Sequence, residues 1–298
     1  MLQDISPHRL NNEYRPAVPS DDDLVFVFSD KGSNAMLRAF DDSGHLIDRP
    51  VTDEYPVTPK LIFPRILDYR QNVPARLASL IWLFSVDDHQ VFLDPAPDPV
   101  LLPGYAWLST RLFRRGLPAE FSFAGATAWH LKEWYMSSRF CGRCGAPARP
   151  DRKERAMRCT SCGSIVYPRI NPAVIIGVVK GDSILLTRYA NRPYKGRALI
   201  AGYCEIGETP EQTVSREVME EAGIRVSNIT YYKSQPWGFD SGLLLGYYCM
   251  AEEGEIRIAH DELSEAYWCK RSDIGELPGV SSLTNEMIAN FRDNILFL

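Results

Sequence analysis

The sequence shows no apolar stretch in its first residues, no long apolar run, no surplus of basic charge and no internal repeat, and each of these counts against a class of protein. Its first residues, MLQDISPHRLNNEYRP, carry early acidic side chains and no continuous apolar stretch, so no signal peptide is expected. The longest strongly apolar runs, residues 80–84 and 173–179, fall far short of the roughly 20 residues that a membrane helix needs. A cytoplasmic location is the expectation. A net charge of −5 speaks against a broad basic face for duplex nucleic acid. It leaves room for a small anionic substrate held through metal ions. A disulfide scaffold is also disfavoured: the seven cysteines are an odd number, and four of them stand in two C-x-x-C pairs. Cys204, Cys249 and Cys269 read as small core residues on strands.

What remains is an ordinary globular composition, 45% hydrophobic and 24% charged over 298 residues, long enough for two or three domains. Residues 1–122 read as a mixed α/β unit in which strands dominate. Apolar runs at 24–28 and 35–40 flank the turn signal Asp30-Lys31-Gly32. Runs at 80–86 and 90–93 flank Asp87-Asp88-His89 as a hairpin, and residues 94–104 are a proline-rich loop. A helix is predicted over 107–115, stopped by Gly116-Leu117-Pro118. No chemical motif appears in this part. A second helix is predicted over 125–138, where Ala128, Leu131, Trp134 and Tyr135 recur at helical spacing. Residues 123–139 are read as a connecting helix whose aromatic face packs between domains. A cysteine module occupies 140–170. A further α/β unit fills 171–298, opening with a hairpin of apolar strands around Lys180-Gly181-Asp182.

In the module, Cys141-x-x-Cys144 and Cys159-x-x-Cys162 are separated by fourteen residues, and glycine follows each pair at Gly145 and Gly163. Two tight turns, each offering two thiolates, can close a tetrahedron around zinc. Four sulfur ligands leave no open position, so the ion would be structural and would supply folding energy that so short a segment cannot draw from a core. The neighbouring Arg149, Arg152, Lys153, Arg155 and Arg158 keep a nucleic-acid role for this module open. A redox dithiol is the weaker alternative, because neither pair opens a βαβ pattern.

The most informative stretch is GYCEIGETPEQTVSREVMEEAGI, residues 202–224. Thr209 is a good helix N-cap, Pro210 suits the first helical position, Gln212 completes a capping box and Gly223 suits the end. The predicted helix therefore runs from 210 to 222. Glu217, Glu220 and Glu221 fall at i, i+3 and i+4 on one face, whereas Val214 and Val218 mark the buried side. Like charges so close repel, and a merely solvated acidic face would usually be diluted with lysine. Hard oxygen ligands suit Mg²⁺ or Mn²⁺, which can bridge phosphate oxygens and acidify a water. Arg216, about 100° round the helix from its neighbour, is expected to turn from the metal face and pair with Glu208.

This stretch resembles the Nudix box, with Gly202, Glu208, Arg216 and Gly223 at its structural positions. The module ahead of it, Tyr167-Pro168-Arg169, Ala201-Gly202-Tyr203 and Ser234-Gln235-Pro236-Trp237 extend the resemblance to the NAD(H) pyrophosphatase branch, the NudC type. The resemblance implies a zinc ribbon followed by a Nudix fold, a mixed sheet sandwiched by helices, in a homodimer with composite sites. It implies hydrolysis of NAD(H) to NMN(H) and AMP, with NAD-capped RNA 5′ ends as a further substrate. It assigns the divalent ions to Glu217, Glu220, Glu221, the carbonyl of Ala201 and Glu265 in Glu265-Ala266-Tyr267-Trp268, and base catalysis to one of these glutamates. Tyr203, standing where the family has phenylalanine, would stack on a base, and Tyr167 would touch substrate. The family loop SQPWPFPxS corresponds here to SQPWGFDSG, placing Gln235, Pro236, Trp237, Gly238, Phe239, Asp240, Ser241 and Gly242 at the substrate. Thr284 answers to a small residue near the C-terminal helix. Gly238 and Asp240 replace prolines and Gly242 replaces serine, which implies a looser, more acidic loop. Two alternatives follow: a Nudix hydrolase of another nucleoside diphosphate derivative such as ADP-ribose, and a non-catalytic nucleotide- or RNA-binding regulator.

Overall fold

The computed structural model describes all residues except 30–32, 48–57, 191–195, 253, 259–262, 278–281 and 296–298. The turn expected at Asp30-Lys31-Gly32 lies outside the described residues. The chain divides into two units: one contains Leu2–Arg169 with Gly238–Ser241, the other Ile170–Trp237 and Gly242–Leu298 with Met1.

In the first unit, Ile81–Val86 and His89–Leu93 form the expected hairpin, with Asp87 in the left-handed region at φ 49°. Leu24–Phe26 joins it in parallel and Leu10–Asn11 pairs on the other side. A second sheet orders Lys60–Ile62, Asn34–Phe40 and Ala106–Ser109. The helix expected over 107–115 is therefore replaced by a strand and a 3₁₀ turn, Thr110–Arg114. Trp107 and Leu108 are drawn into pairing with Met36 and Ala35, a tertiary demand that outweighs local helical spacing.

The long helix Ala119–Ser137 starts six residues earlier than expected and does not serve as a connector. Ala124, Ala126, Ala128, Trp129, Leu131, Trp134 and Tyr135 are all buried in one cluster with Phe28, Leu83 and Leu108. A helix apolar on nearly every side belongs in the middle of a core, and this one is the centre of the first unit. The turn Gly238–Asp240 packs against it. A Cβ added to Gly238 would lie 2.1 Å from the Ala126 carbonyl oxygen. Phe239 joins the same core, its ring 5.0 Å from the Arg114 guanidinium carbon. Gly238 thus serves close backbone approach, not the looseness its replacement of proline implied.

The cysteine module forms a three-stranded antiparallel sheet from Ala148–Pro150, Met157–Cys159 and Ile165–Val166. Arg155, counted above among its basic residues, is turned inward. Its Nη2 donates to the carbonyls of Asn12 and Leu83, and its guanidinium sits over Tyr14 and Trp82. It fastens the module to the rest of its unit.

The second unit consists of β1 (Asn171–Lys180), β2 (Ser183–Tyr189), β3 (Ile200–Tyr203), α1 (Pro210–Ala222), β4 (Val226–Trp237), β5 (Gly242–Ala251), β6 (Leu263–Lys270) and α2 (Leu283–Arg292). The strands run in the order β4-β5-β1-β2-β6, with β3 pairing β1. β1 and β5 are parallel and the other pairs antiparallel, so the sheet is mixed. The unbroken apolar run of β1 is explained by burial on both faces. Val174, Ile176 and Val178 pack with Val214, Val218 and Ala222 of α1. Ile175 and Val179 pack with Met287, Ile288 and Phe291 of α2. This is the mixed sheet between helices that the sequence implied. The β1–β2 turn passes through Gly181 at φ 57° and Asp182, as expected.

Gly238→Ala is expected to lower stability by about 1–3 kcal/mol, because a methyl group must displace helix backbone. Gly242→Ala, whose Cβ would find its nearest neighbour at 3.5 Å, is expected to cost less. Thermal denaturation of the two variants side by side checks the contrast.

Candidate functional site

Helix α1 is built by local chemistry. The Thr209 hydroxyl accepts from the Gln212 amide at 3.3 Å, and Gln212 Oε1 accepts from the Thr209 amide at 2.8 Å. Pro210 opens the helix, and Gly223 closes it at φ 68°, donating its amide to the Met219 carbonyl. The buried stripe of Val214, Val218 and Ala222 fixes the rotation of the helix on the sheet. That rotation turns the glutamate face toward β3.

The consequence is visible at Gly202. A Cβ on this residue would lie 1.9 Å from Cδ of Glu217, so the carboxylate occupies the space a side chain would fill. Gly202 is held there by pairing with Val174 of β1, and Ala201 pairs with Ile175. Glu217 and Glu221 are buried, at 9% and 4% exposure, whereas Glu220 is exposed. Two buried carboxylates one helical turn apart are costly unless positive charge meets them.

Arg216 supplies that charge to Glu217. Its Nε and Nη2 donate to the two oxygens of Glu208 at 2.7 and 2.9 Å. Nη2 also donates to the Tyr203 carbonyl at 3.0 Å. Nη1 is shared between Glu217 Oε1 at 2.7 Å and Glu220 Oε2 at 3.0 Å. Arg216 therefore pairs with Glu208, but it does not turn from the glutamate face. The guanidinium is long enough to reach around the helix and tie Glu208, Tyr203 and two of the face glutamates together. Glu208 also accepts from Thr213 Oγ1 at 2.9 Å, a contact not read from the sequence, although the threonine follows it by five residues within the helix start. The Arg216 hydrogen bonds hold the Glu208 carboxyl at about 2, well below its ordinary range.

The other candidates are more dispersed. Glu265 lies on β6 opposite Arg188 of β2, half exposed, with Arg188 Nε 3.4 Å from Glu265 Oε2. Tyr203 ends β3 with a half-exposed ring. Gln235 is fully buried, and its Oε1 accepts from the Leu283 amide at 2.8 Å. It caps the start of α2. Pro236 is exposed, Trp237 closes β4, and Asp240 is exposed ahead of Ser241 at φ 52°. Thr284 stands in the first turn of α2. In the other unit, the Tyr167 ring is 56% exposed and its hydroxyl donates to Glu154 at 3.1 Å.

The cysteines converge as the spacing requires. The sulfurs of Cys141, Cys144, Cys159 and Cys162 all lie within 4.8 Å of one another. Among the described residues no other group of three or more such ligand atoms gathers this closely, the helix glutamates included. The amides of Ser161 and Cys162 each donate to Cys159 Sγ at 3.4 Å, drawing that thiol down to about 6. Cys141 is lowered in the same way by the amides of Arg143 and Cys144. Gly145 and Gly163, at φ 74° and 73°, give both turns the same left-handed exit. Four sulfurs so placed, two of them inclined to the thiolate form, fit a structural tetrahedral zinc.

Comparison with known proteins finds matches to both regions. Residues 137–167 match the NADH pyrophosphatase zinc ribbon domain, and residues 169–291 match the NUDIX domain. Residues 137–291 are thus similar to a zinc ribbon followed by a Nudix domain. Similar curated proteins include the NAD-capped RNA hydrolases NudC of Salmonella heidelberg (strain SL476) and Salmonella typhi. Each is 41% identical over 168 residues, covering 56% of this chain and 65% of the relative. The match thus spans just under two thirds of those relatives' length. A solved NUDIX hydrolase from Nitrosomonas europaea aligns with 46% of this chain and 80% of its own at 23% identity, with a TM-score of 0.39.

Two outcomes are expected for the Nudix domain and the ribbon. The Glu208 carboxyl is depressed in the folded state, so its contribution is full above its ordinary value of 4.5 and is lost as pH falls through about 2. Glu208→Gln should therefore lower Tm at neutral pH, with the gap to wild type closing between those two values. Purified protein should contain one zinc per chain by elemental mass spectrometry, and Cys159→Ser should lose it together with a large drop in Tm.

Proposed function

We propose that this protein hydrolyses the pyrophosphate of NAD(H) to NMN(H) and AMP, and that it removes NAD caps from RNA 5′ ends. The observation that carries the reading is the convergence of Glu217 and Glu220 on the single positive charge of Arg216 Nη1, with Glu217 seated in the space left by Gly202. Oxygen atoms so placed form a hard donor set on a rigid helix, which suits divalent Mg²⁺ or Mn²⁺. Glu217, Glu220, Glu221, the Ala201 carbonyl and Glu265 would hold more than one such ion. When bound, these ions would supply charge compensation for the pyrophosphate and a water acidic enough to attack.

The residues of the chain divide the remaining work. Water adds to one phosphorus, the bridging P–O bond breaks, and the bridging oxygen leaves with the other nucleotide. A helix glutamate or Glu265 takes the proton lost by the water. Arg216 keeps Glu217 and Glu220 oriented and, through the Tyr203 carbonyl, fixes the strand end that presents the Tyr203 ring for stacking on a base. Trp237, Phe239 and Ser241 belong to the loop assigned to substrate, and Tyr167 completes the set in a homodimer with composite sites. The names of the NudC relatives support NAD-capped RNA as a substrate class. One observation favours a second reading: exposed Asp240 and small Gly242 in that loop alter the charge and contour offered to the non-adenylate half, which suits ADP-ribose or a similar nucleoside diphosphate derivative.

Glu221→Gln is expected to reduce turnover of NADH by about 100-fold or more while leaving Tm and zinc content unchanged. Product mass spectrometry on NADH, NAD⁺, ADP-ribose and NAD-capped RNA in ¹⁸O water identifies substrate and attacked phosphorus together. Wild-type activity in the variant, or no NMN(H) and AMP from the wild type, overturns the proposal.

A further inference from the structure

We propose that the cleft on the zinc ribbon lined by Arg149, Arg152, Lys153 and Arg158 binds the phosphodiester backbone of single-stranded RNA. The cleft measures about 470 Å³ and is completed by Pro150, Asp151, Cys159 and Thr160. It is formed within one unit by the strands Ala148–Pro150 and Met157–Cys159 and the turn joining them. Residues 137–167 carry seven arginines and lysines against Asp151 and Glu154, in a chain whose net charge is −5. Positive charge is therefore concentrated on this small module while the rest of the molecule is acidic. That distribution suits a strand engaged at one place, not a duplex laid along the surface.

The single carboxylate in the cleft is already committed. Asp151 Oδ1 accepts from the Lys153 amide at 2.8 Å, and Oδ2 accepts from Arg158 Nε at 2.7 Å. These two bonds shape the turn and hold Arg158, and they hold the Asp151 carboxyl below its ordinary range. Arg149, Arg152 and Lys153 are exposed, and among the described residues no carboxylate pairs with their side chains. Arg149 stands directly opposite Arg158 in the antiparallel ladder. Like charges in that position disfavour the sheet unless an anion is shared between them. One phosphate could bridge this pair, and the size of the cleft with Arg152 and Lys153 at its turn admits a second. Guanidinium forks are suited to such oxygens. Tyr167 adds a half-exposed ring beside this cluster, tied to it through Glu154, and exposed rings next to basic clefts are stacking platforms for unpaired bases. Arg155 takes no part, since it is turned into the unit.

The biological sense of this cleft rests on the capped-RNA arm of the proposed function, but its binding is measurable without turnover. The zinc-loaded full-length protein and the triple variant Arg149→Ser/Arg152→Ser/Lys153→Ser are titrated with a fluorescent uncapped single-stranded RNA, by anisotropy, at several salt concentrations. The variant is expected to bind about tenfold or more weakly, and its log–log salt slope should shrink by about 2, from roughly 0.7 per lost phosphate contact. Arg149→Lys/Arg152→Lys should retain most of the binding. Zinc content and Tm check that the variant folds. Where the protein hydrolyses free NADH, kcat/KM on that substrate should be the same in wild type and variant; where it does not, the RNA titration stands by itself. Equal RNA affinity with an equal salt slope overturns the assignment. Displacement of the RNA by inorganic phosphate at constant ionic strength also overturns it, in favour of a small-anion site.

Discussion

The site depends on one arginine. Three glutamates within a single helical turn repel one another, and two of them are buried. A helix with this face would be destabilised in isolation. Arg216 offsets the repulsion by sharing Nη1 between Glu217 and Glu220, while its other nitrogens grip Glu208 and the Tyr203 carbonyl. The same guanidinium thus joins the loop before α1, the end of β3 and the glutamate face of α1.

The sheet supplies the rigidity behind it. β1 is buried on both faces, with α1 against one and α2 against the other. Because β3 hydrogen-bonds to β1, Gly202 is fixed against the strand that α1 packs on. Side-chain alternation along β1 therefore translates into the position of the Glu217 carboxylate over Gly202. Gln235 adds a second tie, linking β4 to the start of α2 through the Leu283 amide. The zinc ribbon follows a different logic. It has three short strands and little core, and its cohesion comes from four converging sulfurs and the half-buried Arg155.

The parts legible in the sequence were those decided locally. Thr209, Pro210, Gln212 and Gly223 set the limits of α1 through contacts within four residues, and the structure has the helix at 210–222. The two cysteine turns were legible for the same reason. What was not legible depends on partners distant in sequence. The segment 106–109 became a strand because Asn34–Phe40 was available to pair with it. The aromatic stripe of the long helix is visible in the sequence, whereas the burial of Ala124, Ala126 and Ala128 depends on strands and loops elsewhere in the unit. Helical angle fixes where the Cα of Arg216 points but not where a guanidinium six bonds away arrives. The role of Gly238 depends on the Ala126 carbonyl packed against it, far away in sequence.

The central claim is that Arg216 shapes the carboxylates into a cation site. Its most direct test is a Mn²⁺ titration of wild type and Arg216→Lys followed by electron paramagnetic resonance. Lysine keeps the charge but cannot bridge Glu208, Glu217, Glu220 and the Tyr203 carbonyl at once. The folded variant is expected to bind Mn²⁺ about 10–100-fold more weakly, as for loss of a group that orients metal ligands. Unchanged Mn²⁺ affinity in a folded Arg216→Lys protein would contradict it.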